Sequence, residues 1–230
     1  VVTCASILEA AGGLKYMLQV AEKVLRKNPK RVTLIAPFVT YFMTFLLGTG
    51  HAVYSIMPII GDVALKNGIR PERPMAASSV ASQIAITASP ISAAVVYYLA
   101  QLSNIQHDIT LLSILLVTVP ATLFGTLLMS LYSLKRGKEL DDDPEYQARL
   151  QDPEWRERIL NTTATSLDET LPTSARNSVL LFMLSILTIV VIAMVPEIRT
   201  ITDGSKPISM AVVIQMMMLC FGGVILLATK

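Results

Sequence analysis

Gly48, Thr49, Gly50 and His51 interrupt an apolar run, Val32 to Ile60, that contains no Asp, Glu, Lys or Arg. A glycine–threonine–glycine break ends one helix and begins another. The first turn of the new helix presents free backbone N–H groups and a partial positive charge, a setting that suits a carboxylate. Thr49 and His51 add side-chain donors, and an ionisable group at membrane depth is a functional candidate by default. The structural alternative is that the glycines only let helices approach closely.

A second polar series, Ser78, Ser79, Ser82, Gln83, Thr87, Ser89 and Ser92, decorates the run Met75 to Leu102, which is itself broken at Ala88-Ser89-Pro90. Ser79, Ser82, Gln83 and Ser89 are spaced to share one helical face. Pro90 lacks an N–H and frees a carbonyl upstream. Such groups coordinate a cation or complete an anion pocket, although any single serine can bond back to its own helix. Paired interrupted segments point to a transporter's substrate site. Gly48, Thr49, Gly50, His51, Ser78, Ser79, Ser82, Gln83, Thr87 and Ser89 are therefore the candidate binding residues.

Other charged groups read more plainly. Arg70, Glu72 and Arg73 form a salt-bridged connector and topology anchor, with Asp62 capping nearby. Asp141-Asp142-Asp143 lacks metal-ligand spacing and precedes a helix start, and Asp152-Pro153 opens a short segment bearing Trp155 and Ile159. No P-loop, dinucleotide fingerprint, zinc pattern or nucleophile motif occurs, so neither a cofactor nor ATP-driven transport is expected. An integral-membrane enzyme using His51 with Asp62 lacks a nucleophile.

The elements that position these residues follow from composition. The chain is 53% hydrophobic and 16% charged, with mean hydropathy +0.57. Globular domains carry about 25% charge, so a polytopic membrane protein is expected. A net charge of +2 gives no reason to expect a nucleic-acid partner. Cys4 and Cys220 lie in apolar sequence and read as buried thiols. Residues 1–31 are expected to end one transmembrane helix and add an amphipathic helix, Leu14 to Leu25, lying at the membrane surface. The broken run 32–60 follows, then a basic connector 61–74, a broken helix 75–102, a span 110–134 and a polar cytoplasmic loop 135–176. Spans 177–195 and 207–229 complete the pattern. Val1 opens in mid-hydrophobic sequence, which suggests an internal fragment.

Basic clusters Lys23–Arg31, Lys66–Arg73 and Lys135–Lys138 contrast with the basic-free linker 103–108. The positive-inside rule places the second and third clusters on the cytoplasmic side. The first joins them if 32–60 enters and leaves on one face. Its 29 residues would reach roughly 43 Å as one helix, whereas about 20 suffice to span. A re-entrant hairpin with Gly48–His51 at its tip is expected, each arm too short to cross alone. A single tilted or unwound span is the alternative.

Several strings in register carry a family likeness: Ala11-Gly12-Gly13-Leu14, Arg26-Lys27-Asn28-Pro29-Lys30, Ala36-Pro37-Phe38-Val39-Thr40, Gly48-Thr49-Gly50-His51, Pro58-Ile59-Ile60-Gly61-Asp62-Val63-Ala64, Arg70-Pro71-Glu72-Arg73-Pro74-Met75-Ala76-Ala77-Ser78-Ser79 and Ala88-Ser89-Pro90-Ile91-Ser92. The chain resembles the Dcu family of bacterial anaerobic C4-dicarboxylate transporters over its whole length. The B-type branch is nearest, and Ile86-Thr87-Ala88-Ser89-Pro90 also resembles the A-type. The resemblance implies exchange of fumarate, malate or aspartate for succinate across the inner membrane, with a membrane sensor kinase as partner of some B-type members. A homo-oligomer is a further candidate assembly. The expected fold is an all-α polytopic membrane protein with a re-entrant hairpin and a broken helix, one half of an inverted-repeat transporter. A cation-coupled carboxylate or metabolite symporter is the runner-up.

Overall fold

The computed structural model describes residues 2–105, 109–161, 165–167, 170–195 and 208–228. Eleven α-helices and no strand occur among them. The order is α1 Val2–Ala10, α2 Gly13–Lys27, α3 Val32–Leu47, α4 Ala52–Leu65, α5 Glu72–Ile86, α6 Ala93–Ile105, α7 Leu111–Leu134, α8 Pro144–Leu150, α9 Pro153–Asn161, α10 Thr173–Met194 and α11 Met210–Ala228. Four stretches are long and apolar enough to cross a bilayer: Pro29–Leu47, Leu111–Leu134, Thr173–Met194 and Met210–Leu227. An all-helical polytopic protein satisfies its backbone within each segment, as hydrocarbon requires.

α3 ends where Gly48 takes φ +68°, its N–H returning to the Thr44 carbonyl at 2.8 Å. α4 then doubles back. Asp62 in its last turns reaches Arg26, just before α3, with Arg26 Nη2 donating to Asp62 Oδ2 at 3.2 Å. The two helices thus form a hairpin in space. One arm departs from expectation. The short 3₁₀ turn Pro29–Arg31 runs into α3, so Pro29–Leu47 reaches 19 residues, a spanning length. α4, with 14 residues, does not. The returning helix also continues through Leu65, so Asp62 belongs to a helix rather than to the connector.

α5 lies parallel to α3 and is its most extensive partner. Ala77, Ala81 and Ala85 are buried in this seam, and small residues let helix backbones approach. Thr40 Oγ1 donates across the seam toward the Ser78 carbonyl at 3.2 Å, in addition to its own-helix carbonyls. Tyr41, wholly buried, shares a hydrogen bond of 2.8 Å with Thr122 of α7. The break after α5 falls at residues 87–92, as expected from Ala88-Ser89-Pro90.

α2 packs its apolar stripe on protein. Met17, Leu18, Ala21 and Leu25 are buried, and the helix packs on α10 and α4. The stripe includes Glu22, also buried, whose charge needs protein donors that a lipid-facing surface does not offer. Protein therefore covers the stripe. Cys4 is buried as expected, but Cys220 points outward from α11 and is exposed.

Three basic clusters gather at one end of the bundle. Arg73 is buried and donates to the Arg136 and Gly137 carbonyls and to Glu139 Oε1, the last at 2.7 Å. Arg70 pairs with Glu72 at 3.2 Å and with Asp143 at 3.1 Å. The connector thus grips the start of the polar segment. Asp143 caps α8 by accepting from the Glu145 and Tyr146 amides, and Asp152 accepts from the Glu154 amide at α9. Both helix starts lie where the sequence placed them. Backbone bonds to Tyr146 and Glu145, with Arg70 beside it, hold the Asp143 carboxyl below its ordinary range.

Replacing Ala81 with Leu should overpack the α3–α5 seam. The expected loss is about 1–3 kcal/mol, seen as a lowered melting temperature of the detergent-solubilised protein. The exposed Leu128→Ala change on α7 should leave the melt near wild type.

Candidate functional site

The two breaks meet. A Cβ built on Gly48 would lie 3.1 Å from Ile91 Cγ1 and 3.2 Å from the Ile91 backbone carbon and oxygen. Gly50 faces α5, where its Cβ would lie 2.9 Å from Gln83 Nε2. Positive φ and backbone proximity together restrict position 48 to glycine. At position 50 the neighbour is the end of a flexible side chain. The first contact is rigid and the second adjustable.

Beside this junction lies a cavity of about 530 Å³. Leu47 to His51 line it from the first break, Tyr54 and Ser55 from α4, and Gln83 and Ile86 from α5. Ala93 and Ala94 of α6 and Ser6 and Glu9 of α1 contribute as well. Two helix N-termini, those of α4 and α6, therefore open onto one space. α4 begins without a side-chain cap; its Val53 and Tyr54 amides return to the Gly50 and His51 carbonyls at 3.2 and 3.1 Å, so only the amides ahead of them are left to meet an acceptor. Ser92 caps α6 by accepting from the Val95 amide at 3.1 Å. His51 is exposed at the rim, its ring 6.4 Å from that of Tyr54.

Of the candidate residues, Gly48, Thr49, Gly50, His51 and Gln83 line the cavity. Ser78, Ser82 and Ser89 are buried and do not line it. Ser79 and Thr87 are exposed and also outside the lining, Thr87 Oγ1 bonding back to the Ile84 carbonyl at 2.7 Å. The single polar face expected for Ser79, Ser82, Gln83 and Ser89 is thus divided. α3 covers one side of α5 and leaves Ser79 and Gln83 on the other. Thr44, Ser78 and Ser89 bury hydroxyl oxygens that find no hydrogen-bond partner among the described residues.

Sequence reasoning missed Ser6, Glu9 and Ser55. Glu9 had a signal, a lone carboxylate in the apolar stretch ahead of Gly12-Gly13. It brings an acidic side chain to the lining of the same cavity. A second space of about 580 Å³ lies among α2, α3 and α10, but its lining from Tyr16 to Met183 is almost wholly apolar. Nothing there recognises a charged ligand. No group of three or more His, Cys, Asp or Glu side chains suited to a metal ion occurs among the described residues.

A model of the anaerobic C4-dicarboxylate membrane transporter family, DcuA_DcuB, matches residues 1–230. The chain belongs to this family. Among curated relatives, the anaerobic C4-dicarboxylate transporter DcuB of Escherichia coli O6:H1 is 48% identical over all of this chain and 52% of its own length. The C4-dicarboxylate transporter DcuA of Escherichia coli K12 is 40% identical over 85% of this chain and 43% of its own. DcuA of Helicobacter pylori J99 is 42% identical over 66% of this chain and 34% of its own. No solved structure matches. The chain spans about half the length of the curated relatives it matches. The family and these relatives are membrane transporters rather than enzymes, in agreement with the resemblance read from the motifs.

For this Dcu-family chain, Gly48→Ala should destabilise by roughly 1–2 kcal/mol from the left-handed backbone alone, with more from the Ile91 contact. Gly50→Ala should cost less, since Gln83 can move. Paired thermal melts of the two variants check the order.

Proposed function

We propose that the full-length protein exchanges C4-dicarboxylates across the bacterial inner membrane, taking in fumarate, malate or aspartate against succinate. The observation that carries this reading is the convergence of the α4 and α6 N-termini on one polar-lined cavity at the paired helix breaks. A substrate carboxylate would meet the uncapped first turn of α4, with Thr49, His51 and Gln83 as side-chain partners. The names of the relatives, C4-dicarboxylate transporters, support the cargo class.

In this reading the α3–α4 hairpin is re-entrant, its tip at Gly48–His51 reaching the substrate from the cytoplasmic side. That orientation is supported by the gathering of three basic clusters at the opposite end of the hairpin. The remaining half of the protein would supply an inversely oriented counterpart, and alternating access would expose the cavity to each side in turn. Glu9 repels a dianion unless it is protonated or faces a cation. It therefore limits how tightly the cavity holds its cargo.

A cation-coupled symport is the second reading. It is favoured by the unpartnered buried hydroxyls of Thr44 in the last turn of α3, Ser78 in α5 and Ser89 in the second break. The polar segment is also the natural docking place for a membrane sensor kinase. Deleting the whole segment does not test this docking cleanly, because Arg70 and Arg73 hold its first residues.

Counterflow of labelled fumarate against internal succinate in proteoliposomes tests the exchange. Uptake that requires succinate inside and no sodium or proton gradient is expected, and uptake driven only by a gradient overturns exchange in favour of symport. Gly48→Leu should abolish counterflow while membrane insertion persists. Cysteines placed at Thr49 and His51 should react with aqueous maleimide and be protected by fumarate. Glu9→Gln should lower KM for succinate severalfold.

A further inference from the structure

Glu22, fully buried on α2, accepts four hydrogen bonds: from Arg26 Nε at 2.7 Å, Thr165 Oγ1 at 2.7 Å, the Ser166 amide at 2.6 Å and Ser166 Oγ at 2.7 Å. The Ser166 carbonyl accepts from Gln19 Nε2 at 2.7 Å, so residues 165–167 of the polar segment are fastened to α2 from both sides. Arg26 is shared. Its Nη2 reaches Asp62 Oδ2 at 3.2 Å, and the other Asp62 oxygen holds Lys66 Nζ at 2.8 Å. Burial alone would raise the Glu22 pKa. The bonds from Ser166, Thr165 and Arg26 outweigh it and hold the carboxyl below its ordinary value.

We propose that residues 165–167 form a latch that sets how Arg26 divides itself between Glu22 and Asp62, and so how firmly the returning arm of the hairpin is pinned to α2. An ionised carboxylate has about four acceptor positions, and three of the four bonds to Glu22 come from the latch. Without them a buried charge keeps one donor, a strongly unfavourable state. A guanidinium can offer two parallel N–H bonds to one carboxylate. Arg26 then turns its second nitrogen to Glu22 and leaves Asp62 to Lys66 on its own helix. The last turns of α4 lose their tie to α2, although the change began more than a hundred residues away in sequence. Thr165, Ser166 and Gln19 are thus positioning residues for the hairpin, acting through Glu22 and Arg26.

Because Glu22 binds these donors as the anion, the latch is intact above the ordinary carboxylate range. It is lost only as pH falls through the lowered Glu22 value. Among the described residues, Arg26 faces Glu22 directly, and Asp62 and Lys66 lie behind it. Between pH 7 and 6 it stays closed, so its release requires displacement of residues 165–167 rather than mild acidification.

Hydrogen–deuterium exchange of the full-length protein in lipid nanodiscs reads the latch directly. Thr165→Val with Ser166→Ala should speed amide exchange about tenfold at residues 60–66, and Ser166→Thr should stay near wild type. If the double variant does not fold, Ser166→Ala alone should give a smaller rise, about threefold, at the same residues. Faster exchange confined to residues 165–167, or none anywhere, overturns the proposal. Counterflow by the wild-type protein, run in parallel, keeps the cargo assignment separate. Its failure would count against dicarboxylate exchange and leave the exchange pattern at α4 to decide the latch.

Discussion

Backbone amides and carbonyls have no partner in hydrocarbon, so a helix can break inside a bilayer only where protein or water receives the freed groups. This constraint organises the molecule. The breaks at Gly48–His51 and at residues 87–92 lie side by side, and each shelters the other. That juxtaposition requires α3 and α5 to run parallel at close range, hence the Ala77, Ala81 and Ala85 seam. Parallel neighbours in turn require a return path, which α4 supplies. The polar groups of the first break, with Gln83, then line one cavity.

The ion pairs gather at the far end, with Glu9 left at the cavity. Arg73 is buried against carbonyls of the segment from Arg136 to Gly137, and Glu22, Arg26 and Asp62 form a chain among α2 and α4. Isolated, each of these groups would be costly to bury. Each is instead matched by several donors or acceptors. The polar segment therefore acts as structural material at both of its described attachments, and does not hang free between spans.

Much of this was legible in the sequence because it depends on local signals. Long apolar runs marked the spans, Gly48 and Pro90 marked the breaks, and Asp143 and Asp152 marked two helix starts. What was not legible depends on which neighbour covers which face. Periodicity put Ser79, Ser82 and Gln83 on one stripe, but α3 occupies only part of it and separates Ser82 from the others. The amphipathic pattern of α2 fits lipid and protein equally until the partners of Glu22 are known. Glu9 reaches the cavity only because α1, packed on α11 and α2, faces the hairpin tip across it. The length of the first arm was misjudged because a 3₁₀ turn, Pro29–Arg31, merges with α3.

The contact between Gly48 and Ile91 has a mechanical meaning. Gly48 meets both the backbone and the short, branched side chain of Ile91 there, with no long side chain to act as a spring. A tilt that pushes the hairpin tip toward the α5–α6 junction therefore presses directly on Ile91. The Gly50–Gln83 contact, cushioned by a pliable amide side chain, can take up the residual motion. A pivot and a compliant bearing thus sit within three residues of each other.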